Sequence, residues 1–179
     1  MNNISIKQYS QSNDLRYSAL LKSLNPNNHF AGKESNIGRL PYLEVVNWYK
    51  KITQIKTFKD LCELFKFIFQ IEEHEFWNEK VTNYFSALNF IEKDFKARQE
   101  KESKILNGVG VDKLKWKAAG GDSLNIFSPV SPLDEIAQRY GGSPFKWGEE
   151  PYNDVLYLIT MIIRKSIVSA NYQKLMSEN

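Results

Sequence analysis

The stretch TFKDLCELFKFIF, residues 57–69, decides the fold class of this 179-residue chain. Its apolar residues recur at steps of three and four, which is the period of an α-helix. Thr57 is a suitable N-cap because its hydroxyl oxygen can accept a hydrogen bond from the first helical turn. Apolar side chains occupy most of the helix circumference, as is typical of a helix at the centre of a protein. We therefore predict a central helix here, with Cys62 as one of its small buried residues.

The same periodicity predicts helices on both sides of this stretch, and no convincing strand. Pro41 begins a helix that reaches Ile52, since proline is favoured at the first helical position. The longest helix runs from about Glu75 to Leu106, with an apolar seam close to a 3.5-residue repeat, and the last begins at Pro151. The sequence thus predicts an all-α fold, a helical bundle with one long helix. The residues expected to face inward are Tyr42, Val45, Val46, Tyr49 and Ile52, then Trp77, Val81, Tyr84, Leu88, Ile91 and Phe95, then Val155, Leu158, Ile159, Ile162 and Ile163.

The N-terminal segment is different in composition. Residues 1–38 are rich in Asn, Ser and Gly, and they contain one plausible helix, residues 14–24, which Pro26 ends because proline disfavours helix at the preceding residue. We predict an extended N-terminal arm at residues 1–38 that becomes ordered when another surface holds it. The helical domain then covers residues 39–179, and residues 116–160 within it carry the motifs described below.

Charge and hydropathy exclude several classes of protein. The net charge of +3 is well short of that of a dedicated nucleic-acid binder, although residues 1–60 carry nine Lys and Arg against four Asp and Glu. The longest apolar run, VLYLITMII at residues 155–163, is too short for a membrane span, which needs about 20 residues. The N-terminus has no apolar signal region. We expect a soluble protein with no membrane partner.

Residues that carry catalytic or metal chemistry are sparse. His29 and His74 are the two histidines, and Cys62 is the single cysteine, so no typical zinc site can form. Asn78 stands where a metalloprotease helix would place its second histidine. The glycine pairs lack the spacing of phosphate-binding loops, and no neighbouring histidine lowers the pKa of Cys62. We predict that the chain is not an enzyme and that it has no catalytic residue, metal or cofactor.

The stretch DEIAQRYGGSPFKWGEEPY, residues 134–152, has the order of a helix-turn-helix: a short helix, a glycine turn at Gly141 and Gly142, and Ser143-Pro144 at the start of a second helix. Ser131 is the expected N-cap of its first helix. The second helix would be interrupted by Gly148 and ended by Pro151. It would present Lys146 beside two glutamates, whereas a DNA groove requires cations. We therefore predict a turn that redirects the chain, and a DNA-binding regulator remains the alternative.

The region from Trp116 to about Tyr157 resembles small proteins of tailed bacteriophages, especially phages of gut Bacteroidetes, including crAss-like phages. The resemblance covers about a quarter of the chain. Tail-assembly chaperones also carry an Ile-Ala-x-Arg-(Tyr/Phe)-Gly helix followed by a proline turn, which corresponds to residues 136–144 here. The residues that carry the resemblance are Trp116, Ala119, Gly120, Gly121, Asp122, Leu133, Ile136, Tyr140, Gly141, Pro144, Phe145, Pro151 and Tyr152.

This resemblance implies a non-enzymatic structural or assembly subunit of a virion, such as a neck or tail ring component, assembled in the bacterial cytoplasm. We expect a homo-oligomer that contacts other phage structural proteins, and the charge of its basic N-terminal third suits a position close to DNA or to an acidic subunit surface. A tail-assembly chaperone is the alternative. Aromatic side chains are common at interface hot spots, and those predicted to contact partners are Trp116, Phe127, Tyr140, Phe145, Trp147 and Tyr152.

Overall fold

The computed structural model describes residues 4–12, 18–106, 113–128 and 130–177, apart from the side chains of residues 18, 19, 113, 116 and 125. It confirms the all-α prediction. In the described ranges, two 3-10 turns, Ile37–Arg39 and Gly121–Phe127, and one two-stranded hairpin accompany the helices. The elements are α1 Ile6–Ser12, α2 Ser18–Lys22, β1 His29–Phe30, β2 Lys33–Glu34, α3 Tyr42–Ile52, α4 Phe58–Phe69, α5 Glu73–Asn78, α6 Val81–Leu106, α7 Lys113–Ala118, α8 Ser131–Tyr140, α9 Pro144–Glu149 and α10 Tyr152–Ser177.

The chain divides into two compact units. Unit 1 comprises Met1–Ile37 and Trp48–Arg98, and unit 2 comprises Gly38–Asn47 and Gln99–Asn179. Helices α3 and α6 each contribute residues to both units. This grouping differs from the predicted division into an arm and a helical domain, because the N-terminal segment belongs to the same unit as α4.

The core of unit 1 is built around α4, as the sequence predicts. The backbone N–H of Asp60 donates to Thr57 Oγ1 at 3.2 Å, so the predicted N-cap is present. Cys62, Phe65 and Phe69 are buried in this helix. Phe30 packs against it, with its ring centre 4.6 Å from that of Phe65. The N-terminal segment therefore supplies part of this core.

The hairpin corrects the prediction that the chain has no strand. Strands β1 and β2 pair antiparallel through a two-residue turn, in which Ala31 has φ 49° and Gly32 has φ 75°. Lys33 Nζ donates to the carbonyl oxygen of Gln70 at 2.6 Å, at the C-terminal end of α4. It also lies 3.5 Å from Glu75 Oε2. The hairpin is thus attached both to the central helix and to α5.

The predicted long helix is present, but its predicted start at Glu75 is wrong. Helix α5 ends at Asn78, and α6 begins at Val81. Backbone hydrogen bonds occupy the break, since the N–H of Ile6 donates to the carbonyl of Glu79 and the N–H of Val81 donates to the carbonyl of Ile4, both at 2.9 Å. Trp77, the first residue of the predicted seam, lies in α5 and is half-buried, whereas the other seam residues lie in α6.

Unit 2 is organised around α8, α9 and α10. Leu133 and Ile136 of α8 are fully buried. The N-cap of this helix is Val130, so the predicted N-cap, Ser131, is its first helical residue instead. In α10, Leu156 is buried, whereas Leu158 and Ile163, which the sequence places inward, are half-buried. The other predicted inward residues of α10, Val155, Ile159 and Ile162, are buried.

A short backbone pairing joins the start of α3 to the start of α10. The N–H of Tyr42 donates to the carbonyl of Glu150 at 3.0 Å, and the N–H of Tyr152 donates to the carbonyl of Leu40 at 2.9 Å. This antiparallel bridge has Pro41 opposite Pro151, so residues far apart in sequence fix where α10 begins. Within the described ranges, no helix combines the length and apolarity required to cross a membrane.

Candidate functional site

The corner between α8 and α9 is a tight turn held by its own hydrogen bonds. Gly141 and Gly142 have φ of 81° and 87°, values that L side chains rarely adopt. Trp147 Nε1 donates to the carbonyl of Gly141 at 2.8 Å. Ser143 Oγ accepts from the backbone N–H of Lys146 at 3.2 Å and caps α9. The glycine turn and the Ser-Pro start predicted from the sequence are therefore both present.

Gly148 has a different role from the predicted one. It does not interrupt α9, which continues to Glu149 and has six residues. Its backbone is buried against Leu43 at the start of α3, and a Cβ atom at this position would lie 2.2 Å from Leu43 Cδ1. Glycine is therefore required for the close approach of α9 to α3. The second helix is short, as predicted, but the reason for the glycine is packing.

Three of the predicted interface aromatics lie at this corner, and two of them, Tyr140 and Trp147, are in contact. Tyr140 is 48% exposed and its ring lies edge-on to that of Trp147, with centres 6.5 Å apart. Phe145 is 67% exposed. Trp147 is half-buried because its indole nitrogen is bonded to the turn. A pocket of about 240 Å³ lies beside Tyr140 and Trp147. Phe145 is not part of its lining, which consists of Tyr140, Gly141, Gly142, Lys146, Trp147 and Glu150.

The other three predicted residues lie elsewhere. Phe127 is exposed at the end of the second 3-10 turn. Trp116 lies in α7, and its side chain is outside the described part of the chain. Tyr152 is fully buried and stacks on Tyr42 at 5.7 Å between ring centres. Burial, with the negative charge of Glu102, raises the pKa of Tyr42 above its usual range. Tyr152 is therefore a core residue of unit 2 rather than a surface contact.

Exposed apolar side chains are distributed unequally between the units, and no pattern in the sequence indicates this. Among the described residues, the large apolar side chains that are exposed in unit 1 are Ile4 and Leu20. The large apolar side chains that are exposed in unit 2 are Leu106, Leu114, Leu124, Ile126, Phe127, Tyr140, Phe145, Tyr157, Val168, Tyr172, Leu175 and Met176. Helical periodicity identifies apolar positions but does not say which of two faces is buried.

The charge of unit 2 does not favour nucleic acid. Its sequence contains eleven Lys and Arg and eleven Asp and Glu, whereas unit 1 contains thirteen Lys and Arg and ten Asp and Glu. Within α9, Lys146 is the one cation, and Glu149 and Glu150 follow it as exposed acids. DNA binding depends on cations placed along the phosphate backbone. The corner therefore carries more acidic than basic residues, which does not suit a nucleic acid.

Groups with catalytic chemistry do not converge at this corner. Cys62 lies in unit 1, and burial raises the pKa of its thiol to about 11, with the negative charges of Glu73 and Glu63 adding to the effect. The reactive thiolate is therefore scarce at neutral pH. His74 is exposed in α5, where the sequence predicts a surface residue. No group of three or more potential metal ligands is present among the described residues.

Comparisons with protein-family models, with curated proteins and with solved structures returned no match to this chain.

Proposed function

We propose that this chain is a structural or assembly subunit that acts by binding other proteins through unit 2. The observation that carries the proposal is the concentration of exposed large apolar side chains in that unit. Contiguous exposed apolar surface is characteristic of protein interaction sites. The equal numbers of acidic and basic residues in unit 2 support a protein partner over a nucleic acid.

The resemblance to tailed-phage proteins supports a more specific proposal, a neck or tail ring component in a virion. Several residues of the motif have structural roles at the corner. Leu133 and Ile136 anchor α8 in the core, Gly141 supplies the turn, and Pro151 takes part in the bridge to Pro41. The motif is thus a set of residues suited to holding the corner in place, and Tyr140 and Phe145 are the side chains that the corner exposes.

A matched pair of variants tests the role of the corner. We expect the purified chain to form a homo-oligomer whose mass, measured by light scattering, falls in Tyr140→Ser/Phe145→Ser. The far-ultraviolet circular dichroism should match that of the wild type, because Tyr140 is 48% and Phe145 67% exposed, whereas dissociation of the oligomer lowers the melting temperature by mass action. The control is Leu20→Ser, which removes an equally exposed apolar side chain from unit 1 and should leave the oligomer intact. A wild-type chain that is monomeric at every concentration would contradict the ring component.

One feature of unit 2 favours the second candidate, a tail-assembly chaperone. An apolar groove of about 370 Å³ is lined by Leu106, Pro132, Ile159, Ile162 and Ile163, with Ser131, Glu135 and Ser166 at its polar edge. Grooves of this kind accept the apolar face of an amphipathic helix.

Mass spectrometry of purified virions separates the two candidates. A ring component is present in multiple stoichiometric copies in mature particles, and a chaperone is absent from them. For the DNA-binding regulator, the measurement is duplex affinity as a function of salt. A steep loss of affinity between low and moderate salt would support the regulator against both protein-binding candidates.

A further inference from the structure

Helix α10 has two apolar series on opposite sides. Ile159 belongs to the buried series, together with Val155 and Ile162. Val168 lies nine residues further along, which is about two and a half helical turns and therefore the opposite side of the helix. We call this side the outer seam. Its members are Tyr157, Met161, Val168, Tyr172 and Leu175.

The outer seam is exposed along its length. Tyr157, Val168, Tyr172 and Leu175 are each between 63% and 69% exposed, and Met161 is half-buried. From Tyr157 to Leu175 the seam is on the order of 27 Å long at 1.5 Å per residue. A side chain exposed to this degree makes little contribution to the core of its own chain. The seam is therefore an apolar surface available to another molecule.

The spacing of the seam matches that of a helix that pairs with another helix. Met161, Val168 and Leu175 are seven residues apart, and Tyr157 precedes Met161 by four. A seven-residue apolar repeat keeps a narrow stripe facing a partner helix. A helix that lies on a membrane surface instead presents a wide apolar face with a polar face opposite, whereas up to Ile162 the face of α10 opposite this seam is buried. Helix pairing is thus the better match.

The charges beside the seam determine the kind of partner. After Asp154, the charged residues of α10 are the cations Arg164, Lys165 and Lys174. Arg164 and Lys165 flank the seam, since they lie about 40° and 60° to either side of Val168 around the helix, whereas Lys174 lies about 120° away. Charged residues that flank an apolar seam set partner choice through salt bridges between helices. Two copies of α10 paired along this seam would bring like charges together, which is unfavourable. A helix with acidic residues beside its own apolar stripe would place opposite charges there.

We propose that the outer seam binds an amphipathic α-helix of another protein, one whose apolar stripe is flanked by Asp and Glu. The seam shares no residue with the corner between α8 and α9. The outer seam is therefore a second interaction site, and an experiment can refute the seam without refuting the corner.

Two designed peptides test the proposal on the full-length chain. Both are helical, with leucines at a seven-residue repeat, and they differ only in the flanking positions, which are Glu in one peptide and Lys in the other. We expect fluorescence anisotropy at low ionic strength to show at least about tenfold tighter binding of the Glu peptide. Arg164→Glu/Lys165→Glu should reverse the preference. Equal binding of the two peptides, or no binding of the Glu peptide, would overturn the proposal.

A second pair of variants tests the position of the binding surface. Val168→Glu should weaken binding of the Glu peptide by about tenfold or more. Gln173→Glu is the control, since it adds the same charge on the other side of α10 at an exposed position. Both variants should melt at the wild-type temperature, because neither side chain is buried. Equal effects of the two substitutions on peptide affinity would show that only net charge matters, and would refute the outer seam as the binding surface.

Two other occupants of the seam give distinct results. Sedimentation of the full chain, compared with Val168→Glu, shows whether the seam pairs two copies. Flotation with vesicles of phosphatidylcholine and phosphatidylserine shows whether it binds an anionic membrane. Self-association or vesicle binding that Val168→Glu abolishes would each replace the proposed partner helix. The absence of both effects, together with selective binding of the Glu peptide, is the result that we expect.

Discussion

Replacing Phe30 with alanine should destabilise unit 1 severely, although Phe30 lies in a segment whose composition predicts a flexible arm. The side chain is 1% exposed, and its ring centre is 4.6 Å, 5.5 Å and 6.1 Å from those of Phe65, Phe69 and Phe76. A buried aromatic side chain removes about 150–250 Å² from water. At about 25 cal/mol per Å² this corresponds to roughly 4–6 kcal/mol, and core Phe→Ala substitutions cost about 3–5 kcal/mol. We expect a loss of about 3–5 kcal/mol in the free energy of unfolding.

Urea denaturation followed by circular dichroism measures this loss. The control is Leu20→Ala, in the same N-terminal segment, whose side chain is 63% exposed. It should change the free energy of unfolding by less than about 0.5 kcal/mol, as is usual for surface substitutions. If Phe30→Ala costs less than about 1 kcal/mol, the reasoning is refuted, and the segment behaves as the arm that its composition predicts.

Three further predictions concern other parts of the molecule. Ala31→Asn should stabilise the protein by about 1 kcal/mol, since an alanine in the left-handed conformation is unfavourable by about 1–2 kcal/mol. Thermal denaturation should show a higher melting temperature for this variant, and a lower one would contradict the turn geometry. Gly148→Ala should lower the free energy of unfolding by about 1–3 kcal/mol through overpacking. The loss should be much smaller in a Leu43→Ala background, and equal losses in the two backgrounds would contradict the close contact between Gly148 and Leu43. Cys62 should react with a thiol reagent only on unfolding, and rapid labelling of the native protein would contradict its burial. Because its folded pKa is raised to about 11 from 9.0, its contribution to stability is complete below pH 9 and is lost as the pH rises towards 11; the slope of stability with pH over that range should diminish in Cys62→Ala.

Local signals in the sequence predict the helices well. The apolar period and the Thr57 cap of α4 act within one or two turns, and so do the glycine turn at Gly141 and the Ser143 cap of α9. These features depend on neighbouring residues, so they survive in any tertiary arrangement. They are the reason that the fold class could be predicted.

The features that the sequence did not reveal depend on distant residues. No proline or glycine stands in the break between α5 and α6, where backbone pairing with Ile4 and Ile6 replaces helical hydrogen bonds. The hairpin lacks the Asn-Gly or Asp-Gly pair that would have indicated it, because Ala31 occupies the first turn position. Phe30 holds it in place through contacts with α4 and α5. Tertiary contacts therefore determine the helix break and the hairpin, for which the local sequence gives only a weak preference.

The candidate site was predictable in its elements but not in its exposed residues. Tyr140, Phe145 and Tyr152 are similar aromatic residues close to predicted helix ends, yet two are exposed and one is fully buried. The difference arises from the bridge between Pro41 and Pro151, which brings Tyr42 onto the ring of Tyr152. Such a pairing of residues about 110 positions apart in sequence has no local signal.

The proposed seam also has a consequence for the stability of α10 itself. After Ile162, no described residue of this helix is buried. Helical segments derive most of their stability in proteins from packing of an apolar face, and isolated helices shorter than about 12–15 residues are marginal in water. Residues 163–177 are therefore helical mainly because they extend the packed turns before them. A partner helix on Val168 and Leu175 would give this half of α10 the packed face that it lacks, so binding and helix stabilisation would occur together. The protection of its backbone amides from hydrogen exchange should accordingly rise when the acidic peptide binds.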